Sequence, residues 1–278
     1  MNLPSFEHYV GLISLGIGVG AYGTLIGAGG GFVLMPILLL LYPNQSPELL
    51  TSISLAVVFF NALSGTEAYA LLKRIDYRSG LLFAAATIPG AVIGAINTSY
   101  VPRRLFDLIF GVLLIAAAIL LSCGHRQKNI DCYTSHLNRY CVMRHLVDSH
   151  GAEYRYSFNY LLGLAISAVV GYTSSFLGIG GGIIHVPALS YFLGFPVHVA
   201  TATSHFVLAI MALAGTMVHI ATGVFAHGVH RTIALAIGVL LGAQIGAKLS
   251  DNIKGSWILK GLAIALGCVG LRILVAAW

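Results

Sequence analysis

Apolar residues run along this chain in long blocks separated by short polar joints, at roughly residues 8–41, 49–72, 79–98, 103–122, 157–193, 199–222, 230–250 and 255–276. A helix crossing ~30 Å of hydrocarbon needs ~20 mainly apolar residues, so these blocks predict eight transmembrane segments and an all-α, polytopic integral membrane protein. The first and fifth blocks are too long for single spans, since ~33 helical residues would reach ~50 Å. Both contain the means of breaking: Gly27, Gly29, Gly30 and Gly31 in one, Gly178, Gly180, Gly181 and Gly182 in the other.

The glycine runs expose an internal repeat. GTLIGAGGGFVLMPIL (23–38) matches SSFLGIGGGIIHVPAL (174–189), and TSISLAVVFFNALSGT (51–66) matches TATSHFVLAIMALAGT (201–216). Gly90 and Gly94 then pair with Gly242 and Gly246. Three blocks in the same order at near-constant offset predict two four-segment repeats, 1–122 and 157–278, joined by a polar linker over 123–156. With four crossings per half the repeats would be parallel; with a re-entrant hairpin at each glycine run each half would cross three times and they would be inverted. The pattern leaves both open.

Composition agrees with a lipid solvent. Of 278 residues 58% are hydrophobic and 9% charged, where a soluble domain carries about 25% charged residues. The net charge of +6 does not point to nucleic acid, because no basic stripe interleaves with aromatics. It reads as topological charge. With the N-terminus cytoplasmic, inside loops would hold Lys73, Arg74, Arg78, Arg126, Lys128, Arg139, Arg144, Arg155 and Arg231, against Arg103, Arg104, Lys248 and Lys254 outside. That predicts a multi-pass protein of the cell inner membrane with both termini and the linker in the cytoplasm. MNLPSFEHYV lacks the basic start and cleavage site of a signal peptide, so the first apolar run is expected to remain.

A glycine triplet inside an apolar helix costs roughly 1 kcal/mol per residue, and freed backbone groups cost more unless satisfied. Such backbone is tolerated at membrane depth where it lines a cavity, and a helix restarting after GGG turns free amides and its positive end toward an anion. Gly29, Gly30, Gly31, Gly180, Gly181 and Gly182 are therefore candidate substrate-binding residues. The bland alternative is close helix packing, which suits the isolated Gly90, Gly94, Gly242 and Gly246 better than a triplet. Thr51, Ser54, Thr201 and Ser204, duplicated on the second and sixth segments, could donate to anion oxygens, as could Asn61; Ser and Thr in membrane helices also often bond only to their own carbonyls. His205, where the first half has Leu55, could couple transport to protons, with His185 and His219 as second candidates. No cofactor is expected.

GTLIGAGGGFVLMPIL with TSISLAVVFFNALSGTEAYALLKRIDY, and SSFLGIGGGIIHVPALSYFLGFP with VATATSHFVLAIMALAGTMVHI, resemble the TauE/SafE sulfite exporter family of membrane permeases. The resemblance covers both halves and leaves out mainly residues 123–156. It implies a secondary transporter for sulfite, thiosulfate, sulfoacetate or another small sulfur anion. An anion channel is the nearest alternative. An intramembrane enzyme is a more distant one, since no HExxH, GxSxG or paired-Asp motif is present.

Four cysteines are too few and irregular for a disulfide framework, which favours a reduced cytoplasmic setting. In the linker, Cys132 with His136 and Cys141 with His145 would each share a helical face, a weak signal for zinc or copper set against a plain basic linker touching anionic lipid.

Overall fold

The structure is a computed structural model that describes residues 6–122, 140–249 and 255–276. Ten helices and one β-hairpin follow in chain order: α1 (Phe6–Ile26), α2 (Gly31–Leu41), α3 (Pro47–Leu71), α4 (Tyr77–Thr98), α5 (Arg103–Ser122), β1 (Cys141–Val147), β2 (Glu153–Asn159), α6 (Tyr160–Leu177), α7 (Gly182–Pro187), α8 (Val197–Ala221), α9 (Val229–Leu249) and α10 (Gly255–Ala276). A π-helical turn, Ala188–Phe192, continues α7. By length and composition six of the helices, α1, α3, α4, α6, α8 and α9, can cross a membrane. The expected spans at 103–122 and 255–276 form α5 and α10, which pack on each other.

The helix starts are written locally. Ser46 accepts from the Leu49 amide at 3.3 Å ahead of Pro47, and Asp76 accepts from the Ser79 amide at 3.1 Å; both satisfy amides that a helix cannot pair internally.

Between the long helices, glycine sets the distance. A Cβ on Gly16 would stand 2.5 Å from the Leu235 carbonyl oxygen, while Gly238, Gly242 and Gly246 lie against the backbone of Ile13, Ile17 and Ala21 in turn. Both chains advance together, so α1 and α9 are parallel. Gly90 meets Ala168 and Tyr172, and Gly94 meets Tyr172 and Phe176, so α4 and α6 are parallel as well. These isolated glycines serve packing, as expected. Gly65 lies against His205 and Gly215 against Leu55, so α3 and α8 run antiparallel.

Two further contacts set the course of the chain. Gly228 meets Ile53 and Ser64 donates to the Leu240 carbonyl at 3.1 Å, so α3 also runs parallel to α9. Since α1 and α3 both follow α9, α2 between them carries the chain back. The second half repeats the device. The Asp76 amide donates to Thr203 at 3.1 Å and Gly80 lies against Phe206, so α4 parallels α8 as it parallels α6, and the stretch through α7 runs back between them.

The hairpin corrects the all-α expectation: among the described residues the protein is mostly helical with one antiparallel two-stranded sheet, Cys141 opposite Asn159 and Val147 opposite Glu153. Alternation makes β2, since Tyr154, Tyr156 and Phe158 point to one side and Glu153 and Arg155 to the other. Asp148 builds the turn, accepting from the amides of His150 and Ala152 at 2.9 Å each. The sheet is bolted to the joint between α3 and α4: the Ser149 amide donates to the Leu72 carbonyl at 3.0 Å, Arg74 meets Asp148 at 3.3 Å, Arg144 meets Asp76 at 3.4 Å and the Tyr156 hydroxyl donates to Asp76 at 2.9 Å.

Two expectations fail here. The hairpin sits at the C-terminal end of α3, whereas α1, parallel to α3, begins at the opposite end of the bundle. The hairpin and the start of α1 therefore lie at opposite ends of the bundle, not at one end as the expected orientation requires. Cys141 and His145 lie on a strand, about 13 Å apart at ~3.3 Å per residue, and so share no helical turn. Cys141 is also disulfide-bonded, which removes the thiolate a metal would need, and His145 pairs with Glu153 at 3.3 Å. Cys132 and His136 lie outside the described residues.

Candidate functional site

The two glycine runs end α1 and α6 and meet inside the protein. Gly27, Gly29 and Gly30 have φ of 84°, 74° and 76°, and Gly178, Gly180 and Gly181 have φ of 67°, 76° and 68°, a left-handed backbone that glycine adopts without steric cost. A Cβ on Gly31 would lie 2.7 Å from the Ile179 carbonyl oxygen, and one on Gly182 would strike Ala28. Thr201 stands against Gly27 and Thr51 against Gly178. The runs are face to face. Val58 fills the seam, touching the Cβ positions of Gly29, Gly31 and Gly180, with Leu208 beside Gly29.

On the α3 side of this seam lies a polar cradle. The Val33 and Leu34 amides both return to the Gly30 carbonyl, leaving the Gly31 and Phe32 amides with no carbonyl partner among the described residues. A Cβ on Gly30 would be 3.3 Å from Asn61 Nδ2. Asn61 Oδ1 is held by the Thr24 hydroxyl at 3.1 Å, while its Nδ2 is fully buried with no hydrogen-bond partner among the described residues. One turn on, His205 packs against Gly65, and Nε2 of its fully buried ring is likewise unpartnered. Its Nδ1 makes no hydrogen bond among the described residues either. Tyr69 closes the group, its ring edge-on to His205 with centroids 5.4 Å apart and its hydroxyl donating to the Thr24 carbonyl at 2.8 Å.

The duplicated hydroxyls have separate fates. Ser54 donates to the Gly178 carbonyl at 2.5 Å, which ties the two halves and commits its proton. Ser204 faces His185 Nδ1 at 3.4 Å, whose Nε2 faces Ser167 at 3.3 Å. The Thr51 hydroxyl has no partner among the described residues. Of the twelve expected site residues, the structure gathers Gly29, Gly30, Gly31, Asn61 and His205 into one cradle. Gly180, Gly181 and Gly182 sit across the seam, with Thr51, Ser54 and Thr201 as struts between the runs and Ser204 against His185. Thr24 and Tyr69 were missed. The repeat could have found them, because they align with Ser175 and His219, two more polar positions in apolar helices.

Outside the bundle, a cavity of about 530 Å³ lies under the hairpin, lined by Asp76, Arg78, Arg144, His145 and Tyr156 among others.

A family model described as "Sulfite exporter TauE/SafE" matches residues 12–273. The chain is 32% identical over 274 residues to the probable membrane transporter protein YunE of Bacillus subtilis, covering 96% of this chain and 97% of that one. It is 23% identical to the probable membrane transporter protein MJ0441 of Methanocaldococcus jannaschii, covering 95% and 94%. A probable membrane transporter protein of Xylella fastidiosa is 24% identical over 95% and 94%. No solved structure matches. With a match over nearly its whole length and the paired glycine breaks inside it, the chain belongs to the TauE/SafE sulfite exporter family and is a membrane transporter.

Proposed function

We propose that the protein is a secondary transporter, not an enzyme, that moves sulfite or another small sulfur oxyanion across the inner membrane, and that the ion is held at the cradle of Gly29, Gly30, Gly31, Asn61 and His205. The observation that carries this is Asn61 Nδ2, a fully buried donor without a partner beside a helix start. An orphaned amide in such a place costs stability unless a ligand or water takes its hydrogen bond, and a helix N-terminus adds free amides and a positive field. Neutral donors suit a cargo that must leave again. His205, with a free ring nitrogen, would supply a proton site for coupling.

Each half then crosses three times, its glycine run turning the chain back, and the halves are inverted repeats. The reciprocal contacts of Gly27 with Thr201 and Gly178 with Thr51 support this reading. A carrier is favoured over a channel because the two runs close on each other around Val58, so an ion passes only when they part.

The test is purified protein in liposomes, assayed for uptake of sulfite, thiosulfate, sulfoacetate and sulfate with and without a pH gradient. Saturable sulfite or thiosulfate uptake is expected. Asn61→Leu should weaken binding about tenfold if the bond is neutral in character and up to about a hundredfold against a full charge. Uptake absent for all four anions, or an Asn61→Leu protein with unchanged affinity, would remove the cradle from the mechanism.

A further inference from the structure

Across the seam the second half buries polar groups that its own fold leaves unused. Among the described residues Ser174 Oγ, Ser175 Oγ and both ring nitrogens of His219 have no hydrogen-bond partner, and all three residues are fully buried. They align with Gly23, Thr24 and Tyr69 of the first half. There the groups satisfy one another, Tyr69 donating to the Thr24 carbonyl and Thr24 to Asn61. Here they do not, and Met211 stands in the place of Asn61.

Their placement makes them one site. The Ser174 hydroxyl abuts Gly181 at the second break. From the same last turn of α6, Ser175 Oγ lies 3.1 Å from a Cβ position on Gly215. His219 follows Gly215 by four residues and so shares its face of α8. Two hydroxyls and an imidazole can donate three hydrogen bonds with no fixed charge among them, which fits the oxygens of a small anion. This site and the first cradle lie toward opposite ends of the antiparallel α3 and α8. His205 faces Gly65 and Gly215 faces Leu55, so ten residues of α3, about 15 Å of helix, separate them. Val58 and Leu208 stand at the seam between.

We propose that Ser174, Ser175 and His219 form a second small-oxyanion site, so that one chain holds two ions, one on each side of the Val58–Leu208 seam. This rests on the first cradle being a transport site, and makes the second the ion's next stop along the bundle.

Binding of sulfite, with thiosulfate as a second probe, is measured on purified wild-type protein by calorimetry and equilibrium dialysis. Two ions per chain are expected. Ser174→Ala with Ser175→Ala should leave one, bound within about threefold of its wild-type affinity, and Asn61→Leu should leave the other. Ser175→Thr, which installs the first-half residue, should keep two and guards against misfolding of the alanine variant. One ion per chain in the wild type, lost in Asn61→Leu and unaffected by the serine changes, would overturn the second site and leave the first standing. No ion bound by any form would overturn both.

Discussion

Among single residues, the contrast between spent and unspent hydrogen-bonding groups separates scaffold from site. Ser54 and Asp148 are spent. Asp148 shows what that is worth outside the membrane: burial pushes its carboxyl up, but the amides of Ala152 and His150 and the Arg74 guanidinium outweigh it and hold the acid below its usual value of 3.8. A carboxylate whose pKa is lower folded than unfolded contributes stability that is fully present above the unfolded value and lost as pH falls through the folded one. We expect the hairpin to hold at neutral pH and loosen below about pH 4, read as faster amide exchange over β1 and β2. In Asp148→Asn the charge-linked part of that loss should vanish, and exchange should be faster already at pH 7. An acid profile identical in the two proteins would show that Asp148 does not secure the hairpin.

At the scale of elements, glycine has two jobs that the sequence separated by spacing. Gly90 and Gly242 are solitary, and a Cβ on either would strike backbone of the neighbouring helix. Gly90→Leu and Gly242→Leu should each destabilise the fold through overpacking by about 1–3 kcal/mol or more, seen as a lower Tm; a melting temperature within a degree of wild type would mean that α4–α6 and α1–α9 do not need that closeness. The same spacing logic makes the breaks legible in the sequence alone, because a triplet abolishes a helix where a lone glycine does not. The direction of α2 was not legible, since it depends on which long helices lie side by side. Nor was the hairpin. CVMRHLV carries no turn or alternation strong enough to compete with the Cys/His spacing, and β2 alternates over only seven residues before the apolar run of α6 begins. Within the site, repetition revealed the glycines and hydroxyls, and the same alignment carried further pairs Thr24 with Ser175 and Tyr69 with His219, polar positions in apolar helices whose identities differ between the halves and so stand out less.

For the whole molecule, the open quantity is which end faces the cytoplasm, and two signals on the chain oppose each other. Lys73, Arg74, Arg78, Arg144 and Arg155 belong to the hairpin end, whereas Arg103, Arg104 and Arg231 belong to the other, so the positive-inside bias draws the hairpin inward. The disulfide at Cys141 draws it outward, because disulfides form and persist in oxidising compartments and are rare in the cytosol. Charge bias acts as a preference during insertion and admits exceptions. A disulfide records where the segment has arrived, so we expect it to decide: hairpin outside, with α1 starting and α10 ending on the cytoplasmic side. A green fluorescent protein fused after Trp278 should then fluoresce, alkaline phosphatase fused there should be inactive, and a membrane-impermeant maleimide should label Cys141 in intact cells only after an impermeant reductant. Active phosphatase at the C-terminus, or a Cys141 thiol found free on extraction in blocking reagent, would turn the protein over in the membrane and place its basic hairpin in the cytoplasm. The same cradle would then load from the opposite face, so this measurement also fixes which side of the membrane the 530 Å³ hairpin cavity opens to.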